Sequence, residues 1–314
     1  MKYFFNLSIL FVSISLLSYD RITGFDFASR SEIISTNGMA ATSHPLATQT
    51  AIEVLQRGGN AIDAAIAANA VLGLMEPTGC GIGGDLFAIV WSADDKKLYG
   101  LNSSGPAPKN ISIDKLLAKN LQQIPPYGPL PVTVPGAVAG WAELHNKFGS
   151  LPFEDLFLEA IDYSENGFPV TEIVAYYLEL SAERFNAYPN FKEVWMPTGK
   201  TPSKGDIFKN PQLASAYKKI AKTAGKDFYE GDIAKEIVRF INEQGGYFSL
   251  DDLKDYRPEW IEPVSSNYRG YEVWELPPNG QGIAALQILN ILENYDIETL
   301  GFGSAEYIHL FTEA

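Results

Sequence analysis

The stretch Glu76-Pro-Thr-Gly-Cys-Gly-Ile-Gly-Gly-Asp85 constrains this chain more than any other. Four glycines, at 79, 81, 83 and 84, sit between a helical pattern and a strand pattern. Two helical runs precede the loop. The first, Pro45 to Arg57, has Ser43 at its entry, Pro45 in its first turn and Gly58-Gly59 at its exit. The second, Ala61 to Leu74, follows Asn60 as N-cap and carries Asp63 in its first turn. It is rich in alanine, so it is expected to pack closely on more than one side. After the loop, Leu86 to Trp91 reads as a buried strand, Asp94-Asp95 as a turn, and Lys97 to Asn102 as the hairpin partner. Glycine lets backbone lie where side chains would clash. Four of them in one loop imply that something approaches the backbone there.

Gly79, Gly81 and Gly84 fit the spacing of a dinucleotide fingerprint. That fingerprint needs a strand before the loop and a helix opening after it, so that helix amides face the pyrophosphate. Here the order is helix, loop, strand, so the dinucleotide reading is set aside and no cofactor is expected. The three histidines are far apart, the carboxylates show no metal spacing, and a single cysteine forms neither an internal disulfide nor a cysteine metal cluster. Cys80, between glycines, reads as a small packed thiol rather than a nucleophile. The chain is 46% hydrophobic and 20% charged, which suits a globular protein with a sizeable core. A net charge of −14 argues against nucleic acid and anionic membrane surfaces as partners.

Several blocks together resemble one family. They are Met39-Ala-Ala-Thr-Ser-His-Pro-Leu-Ala-Thr48, Gly58-Gly-Asn-Ala-Ile-Asp-Ala-Ala65, Glu76-Pro77 and Gly81-Ile-Gly-Gly84. Val132-Thr-Val-Pro-Gly-Ala-Val-Ala-Gly-Trp141, Phe148-Gly149, Pro277-Pro-Asn-Gly-Gln-Gly282 and Leu289-Asn-Ile-Leu-Glu293 continue the series in order. This is similar to the large-subunit half of the gamma-glutamyltransferases, also called gamma-glutamyltranspeptidases or glutathione hydrolases. The resemblance implies an α+β fold, the αββα sandwich of N-terminal-nucleophile hydrolases, incomplete and helix-rich in this portion. It also implies a partner, a small subunit beginning with a nucleophilic threonine, and a small gamma-glutamyl or related amide substrate. No Thr-x-His-x-Ser block of the expected type occurs in the chain, so no catalytic residue is assigned within it.

Residues 1–30 read separately from a gamma-glutamyltransferase-like region at 31–314. Lys2 precedes the uncharged, mainly apolar run Tyr3 to Ser18, and Asp20 and Arg21 end it, a pattern that suits an export signal. Secretion or periplasmic export with cleavage is the first expectation, an uncleaved N-terminal anchor the second, and a misplaced start the third. Beyond Pro108, prolines at 125, 126, 129, 131 and 135 suggest a stiff, exposed connection. Helices are expected at Gly136–Phe148, Phe153–Asn166, Thr171–Phe185, Pro211–Ala224, Asp232–Glu243 and Ile283–Glu293. Tyr176, Tyr177, Leu180 and Phe185 suggest an aromatic binding face, but packing against neighbouring elements is the preferred reading. Strands are expected at Ile33–Ala41, Val264–Tyr268 and Tyr271–Leu276 besides the first hairpin. The loop Asn279-Gly-Gln-Gly282 before a helix is either an anion-holding turn or a plain strand-to-helix turn. Ser304 caps a last helical pattern that stops without a terminator, and under the resemblance this reads as a large-subunit portion.

Family members hold the substrate's α-carboxylate with an arginine in a Leu-Asp-Phe-Arg-Glu-x-Ala-Pro-like block. That block aligns with Leu101-Asn-Ser-Ser-Gly-Pro-Ala-Pro108 and puts Ser104 at the arginine position. In acylase-like relatives the arginine lies two places later, where this chain has Pro106. Both placements lack the cation, and a hydroxyl cannot replace its charge. Ser103 and Ser104 are therefore the candidate substrate-binding residues, with turn residues before Gly105-Pro106 as the plainer alternative. The implied activity is amide acyl transfer. An acylase with a donor other than glutathione, or an inactive secreted binding scaffold, are the alternatives.

Overall fold

The computed structural model describes residues 33–314. The segment read as an export signal lies outside them. The chain divides into two units, Met1–Met39 and Ala40–Ala314. In the first, Ile33 and Ile34 are exposed. The strand expected over Ile33–Ala41 does not form. A strand exists only by pairing, and no described strand pairs with these residues.

In the second unit, helices α1 (Pro45–Gln56) and α2 (Ala61–Met75) open the fold. The N-cap of α1 is His44, not Ser43: its Nδ1 accepts from the Leu46 amide. α2 is the central helix. Ala64, Ala67, Ala68, Ala70, Val71 and Leu74 are all buried, because methyl side chains let α1 and later helices close on several faces at once. Its start is fixed by a capping box between Asn60 and Asp63. β1 (Leu86–Ser92) and β2 (Lys97–Ser103) then form the antiparallel hairpin, with Leu86 opposite Ser103.

α3 (Ile113–Leu117) and the proline-rich stretch lead to α4 (Ala137–Phe148), a 3-10 turn (Phe153–Phe157), and α5 (Leu158–Asn166). The proline connection is exposed only in part, because Val134 and Pro135 at its end are buried. A two-residue bridge pairs β3 (Phe168–Pro169) with β4 (Ile207–Phe208) around α6 (Glu172–Phe185) and α7 (Phe191–Trp195). α8 (Pro211–Thr223), α9 (Lys226–Glu230), α10 (Asp232–Glu243) and α11 (Leu250–Lys254) follow. β5 (Glu259–Ile261) joins β2 antiparallel, giving the order β1-β2-β5. β6 (Val264–Tyr268) and β7 (Tyr271–Glu275) form a second hairpin. It turns through Arg269-Gly270, both at positive φ. α12 (Gly282–Leu292), α13 (Ile297–Leu300) and α14 (Ala305–Glu313) end the chain.

The core centres on Trp141, Phe157, Tyr217 and α2. Trp141 stacks edge-on against Phe157 and donates its indole N–H to Asn69 Oδ1 at 2.9 Å. The buried indole N–H of this core is thus paired. The three-stranded sheet has unlike faces. Leu86, Ala88 and Val90 pack on the core, whereas Phe87, Ile89 and Trp91 alternate outward and stay exposed. α6 overturns the packing preferred for its aromatic stripe. Only Val174 and Leu178 are buried, while Tyr176, Tyr177 and Leu180 are 54%, 49% and 41% exposed.

Candidate functional site

The glycine loop leaves α2 in a tight turn, with the Gly79 and Cys80 amides both donating to the Glu76 carbonyl at 3.0 Å. Ser43 Oγ donates to Glu76 Oε2 at 2.5 Å, tying the start of α1 to the loop. The conformational need for glycine differs along the loop. Gly81 has φ +149°, in the range that side chains avoid. Gly79 and Gly83 are exposed, and a Cβ on either would meet no atom within 4 Å. Gly84 gives its carbonyl to both the Gly136 and Ala137 amides, at 2.9 Å each. Helix α4 has no side-chain cap, so the loop itself satisfies the helix's first free amides.

The end of β2 runs against the same helix start. Ser103 is buried, donates its hydroxyl to the Gly136 carbonyl at 2.7 Å, and shares a 3.1 Å bond with the Tyr256 hydroxyl. Ser104 is half-buried and belongs to a ring of three side chains. Its Oγ donates to Asn102 Oδ1 at 2.9 Å and accepts from Asn279 Nδ2 at 2.9 Å. Asn102 Nδ2 closes the ring on Asn279 Oδ1 at 2.9 Å. The structure thus joins the block at Leu101–Pro108 to the loop at Pro277–Gly282. Ser103 faces inward and fixes the backbone, whereas Ser104 and Asn279 face outward together.

Sequence reading missed Asn102, Asn279 and Tyr256 as partners. Asn279 stood in a loop already singled out, but its pairing across 175 positions leaves no local signal. Gln281, at the N-cap of α12, makes no side-chain capping bond.

Burial shifts several titratable groups around this region. Burial raises the pKa of Tyr256, Tyr229 and Tyr217. Burial, then the Glu76 carboxylate, also raise that of Cys80, which keeps its thiol protonated and fits the packed-thiol reading. Lys109, the cation nearest Ser104 in sequence, pairs with Asp255 at 2.5 Å. The cluster therefore offers neutral hydrogen-bond groups rather than charge.

His44 carries a prediction. It is buried, its Nε2 has no hydrogen-bond partner among the described residues, and burial lowers its pKa while Glu76 offsets part of the shift. Below the ordinary histidine value of 6.5, the unfolded chain takes up a proton that the folded chain refuses. Stability is therefore whole above that value and falls as pH drops toward the lowered folded value. His44→Gln should flatten this fall when urea midpoints at about pH 7.5 and about pH 5 are compared. An unchanged slope would assign the acid sensitivity to other groups.

The mixed, helix-rich arrangement is shared with solved N-terminal-nucleophile hydrolases. Residues 47–314 match the family model described as gamma-glutamyltranspeptidase, and the chain belongs to that family. It is similar to the glutathione hydrolase-like YwrD proenzyme of Bacillus subtilis, with 39% identity over 90% of this chain and 54% of that protein. The acylase ACY 1 proenzyme of Pseudomonas sp. SE83 shares 33% identity over 89% of this chain and 52% of its own length. Among solved structures, cephalosporin acylase from Bacillus halodurans superposes with a TM-score of 0.84 at 41% identity, covering 93% of this chain and 55% of that one. Helicobacter pylori gamma-glutamyltranspeptidase gives 0.84 at 33% identity, covering 90% and 82%. The chain spans about half the length of the curated relatives it matches.

Proposed function

We propose that this chain supplies the non-nucleophilic, large-subunit part of an amide acyltransferase or hydrolase, completed by a companion segment that begins with threonine. The carrying observation is the junction of the Ser104 block, the Asn279 loop and the glycine loop around one helix start, in a chain of this family. In the completed enzyme the threonine's own α-amine takes the proton from its hydroxyl. The hydroxyl oxygen attacks the amide carbonyl, backbone amides hold the oxyanion, and the amine leaves with the proton. Water or a second amine then takes the acyl group. Ser104 and Asn279 serve as neutral hydrogen-bonding groups for the donor, and Ser103 holds the strand end next to Ser104.

A specific observation favours acylase-like donors over gamma-glutamyl ones. The arginine position holds Ser104, and its ring of amide and hydroxyl partners contains no guanidinium. Relatives named as acylases are among those most similar to the chain. The test is reconstitution with a threonine-bearing companion. Turnover of an amide donor should require both parts, because the nucleophile is absent from this one. Ser104→Arg in the reconstituted enzyme should raise kcat/KM on a gamma-glutamyl anilide by roughly tenfold, the value of one charge-assisted pair. Pro106→Arg is the parallel variant. Failure of both would remove the missing-cation argument, and saturable turnover by this chain alone would remove the half-enzyme reading.

The reading extends to export. Lys2 and the apolar run to Ser18 support cleavage of most of residues 1–30. N-terminal sequencing of secreted protein should begin between Ser18 and Ser31, and recovery of intact Met1 from a soluble cytoplasmic pool would count against it.

A further inference from the structure

Helix α6 presents a face that the core does not use. Tyr177, Leu180, Arg184 and Phe185 line a cavity of about 520 Å³ with Tyr127 from the proline-rich stretch and Trp195 from α7. Phe191 adds another ring, and Pro77 and Thr78 of the glycine loop close one wall. The volume lies within the ~300–1,000 Å³ range of small-molecule sites. Among the described residues, five aromatic rings and no carboxylate line it.

Among the described residues its only charge is Arg184. The guanidinium donates from one terminal nitrogen to the Tyr127 hydroxyl at 2.7 Å and lies 5.1 Å from the centroid of the same ring. The two contacts orient it without neutralising it. Among the described residues the other arginines are engaged differently. Arg57 and Arg239 bond carboxylates, and Arg257 and Arg269 bond backbone carbonyls. Arg184 alone has no anionic or carbonyl acceptor among those described, in a protein with 38 acidic and 24 basic residues. A positioned guanidinium with free N–H groups at the edge of an aromatic pocket suits a carboxylate carried on an apolar body.

We propose that this pocket is a binding site for aryl-alkanoate-type carboxylates, with the ring among Tyr177, Phe185 and Trp195 and the carboxylate on Arg184. The site is separate from the Ser104 cluster, and no existing assignment of a nucleophile or donor is needed for it.

The test is calorimetric titration of the full protein with 4-phenylbutyrate and with its uncharged amide, 4-phenylbutyramide. The readout is binding, so it stands or falls apart from acyl transfer. The acid should bind saturably, and the amide should bind roughly tenfold more weakly or worse. Arg184→Met, at an exposed helix position, should keep the fold and erase the preference for the acid. Arg184→Lys should restore part of it, and Tyr127→Phe should weaken the acid alone by releasing the guanidinium. Equal affinity for acid and amide, an Arg184→Met variant that binds the acid as before, or no saturation by about 10 mM would each overturn the proposal.

Discussion

Replacing Gly136 with alanine is expected to cost this protein most of its stability. A Cβ at Gly136 would lie 1.9 Å from the Ser103 carbonyl oxygen, and one at Gly105 would lie 1.6 Å from the Val134 carbonyl oxygen. Both obstacles are backbone, held by the strand on one side and by the buried Val134–Pro135 segment on the other, so neither can rotate aside as a side chain would. Overpacking a core typically costs about 1–3 kcal/mol where side chains can adjust, and here they cannot. Each variant should therefore lose about 3 kcal/mol or more, a large share of the ~5–15 kcal/mol that holds most domains folded. Gly79→Ala and Gly83→Ala are the controls within the glycine loop, since a Cβ there meets nothing within 4 Å. They should be neutral or gain about 0.5 kcal/mol through the unfolded chain. Urea midpoints measure all four. If Gly136→Ala unfolds with the parent, the close approach of β2 to α4 is not a constraint. If Gly83→Ala keeps its stability yet lowers turnover in the reconstituted enzyme, the free backbone at that position serves an approaching group rather than the fold.

The elements that were legible in sequence are those whose ends carry their own chemistry. Asn60 with Asp63 fixes the start of α2, Pro211 opens α8, and Ser304 caps α14. The paired hairpins were legible for the same reason, through Asp94-Asp95 and Arg269-Gly270. What escaped was too short to show a period. β5 is three residues between prolines, and α9 is five residues between glycines. Ile33–Ala41 had the composition of a strand but no described partner, which composition does not reveal. The Ser43 and His44 exchange at the α1 cap has a local cause: Ser43 is drawn to Glu76, leaving the imidazole to accept the amide. At the site, alignment of one block placed Ser103 and Ser104, but only the folded chain separates them. At the end of β2 Ser103 turns inward onto Gly136, and the next residue, Ser104, meets Asn279. The outward face of α6 was misread because its aromatic spacing fits a packed helix equally well. The difference lies in what the distant Tyr127 and Trp195 do around it.

The buried carboxylate of Asp63 should be as intolerant as those glycines, and for a different reason. It is wholly buried. Its Oδ2 accepts from the Asn60 amide at 3.0 Å, the Ser150 hydroxyl at 2.5 Å, and the Ser150 and Leu151 amides at 3.2 Å. Every partner is a donor, so the site is built for a group that only accepts. Through it the first turn of the central helix is tied to the chain leaving α4, and Asn60 donates its side-chain Nδ2 to the Phe148 carbonyl at 2.5 Å. Asp63→Ala leaves these donors buried without an acceptor, at about 3 kcal/mol or more. Asp63→Asn keeps the shape but aims an N–H₂ group at N–H and O–H donors, so it should cost nearly as much. Both should lower the melting temperature by about 5 °C or more. Ser150→Ala removes one donor and one bond of the set, and should cost about 1 kcal/mol. The ranking separates the two explanations. If Asp63→Asn melts with the parent, shape alone holds the α2–α4 junction. If it falls with Asp63→Ala, the acceptor-only chemistry of the carboxylate holds it, and the helix that carries the glycine loop depends on that one charge.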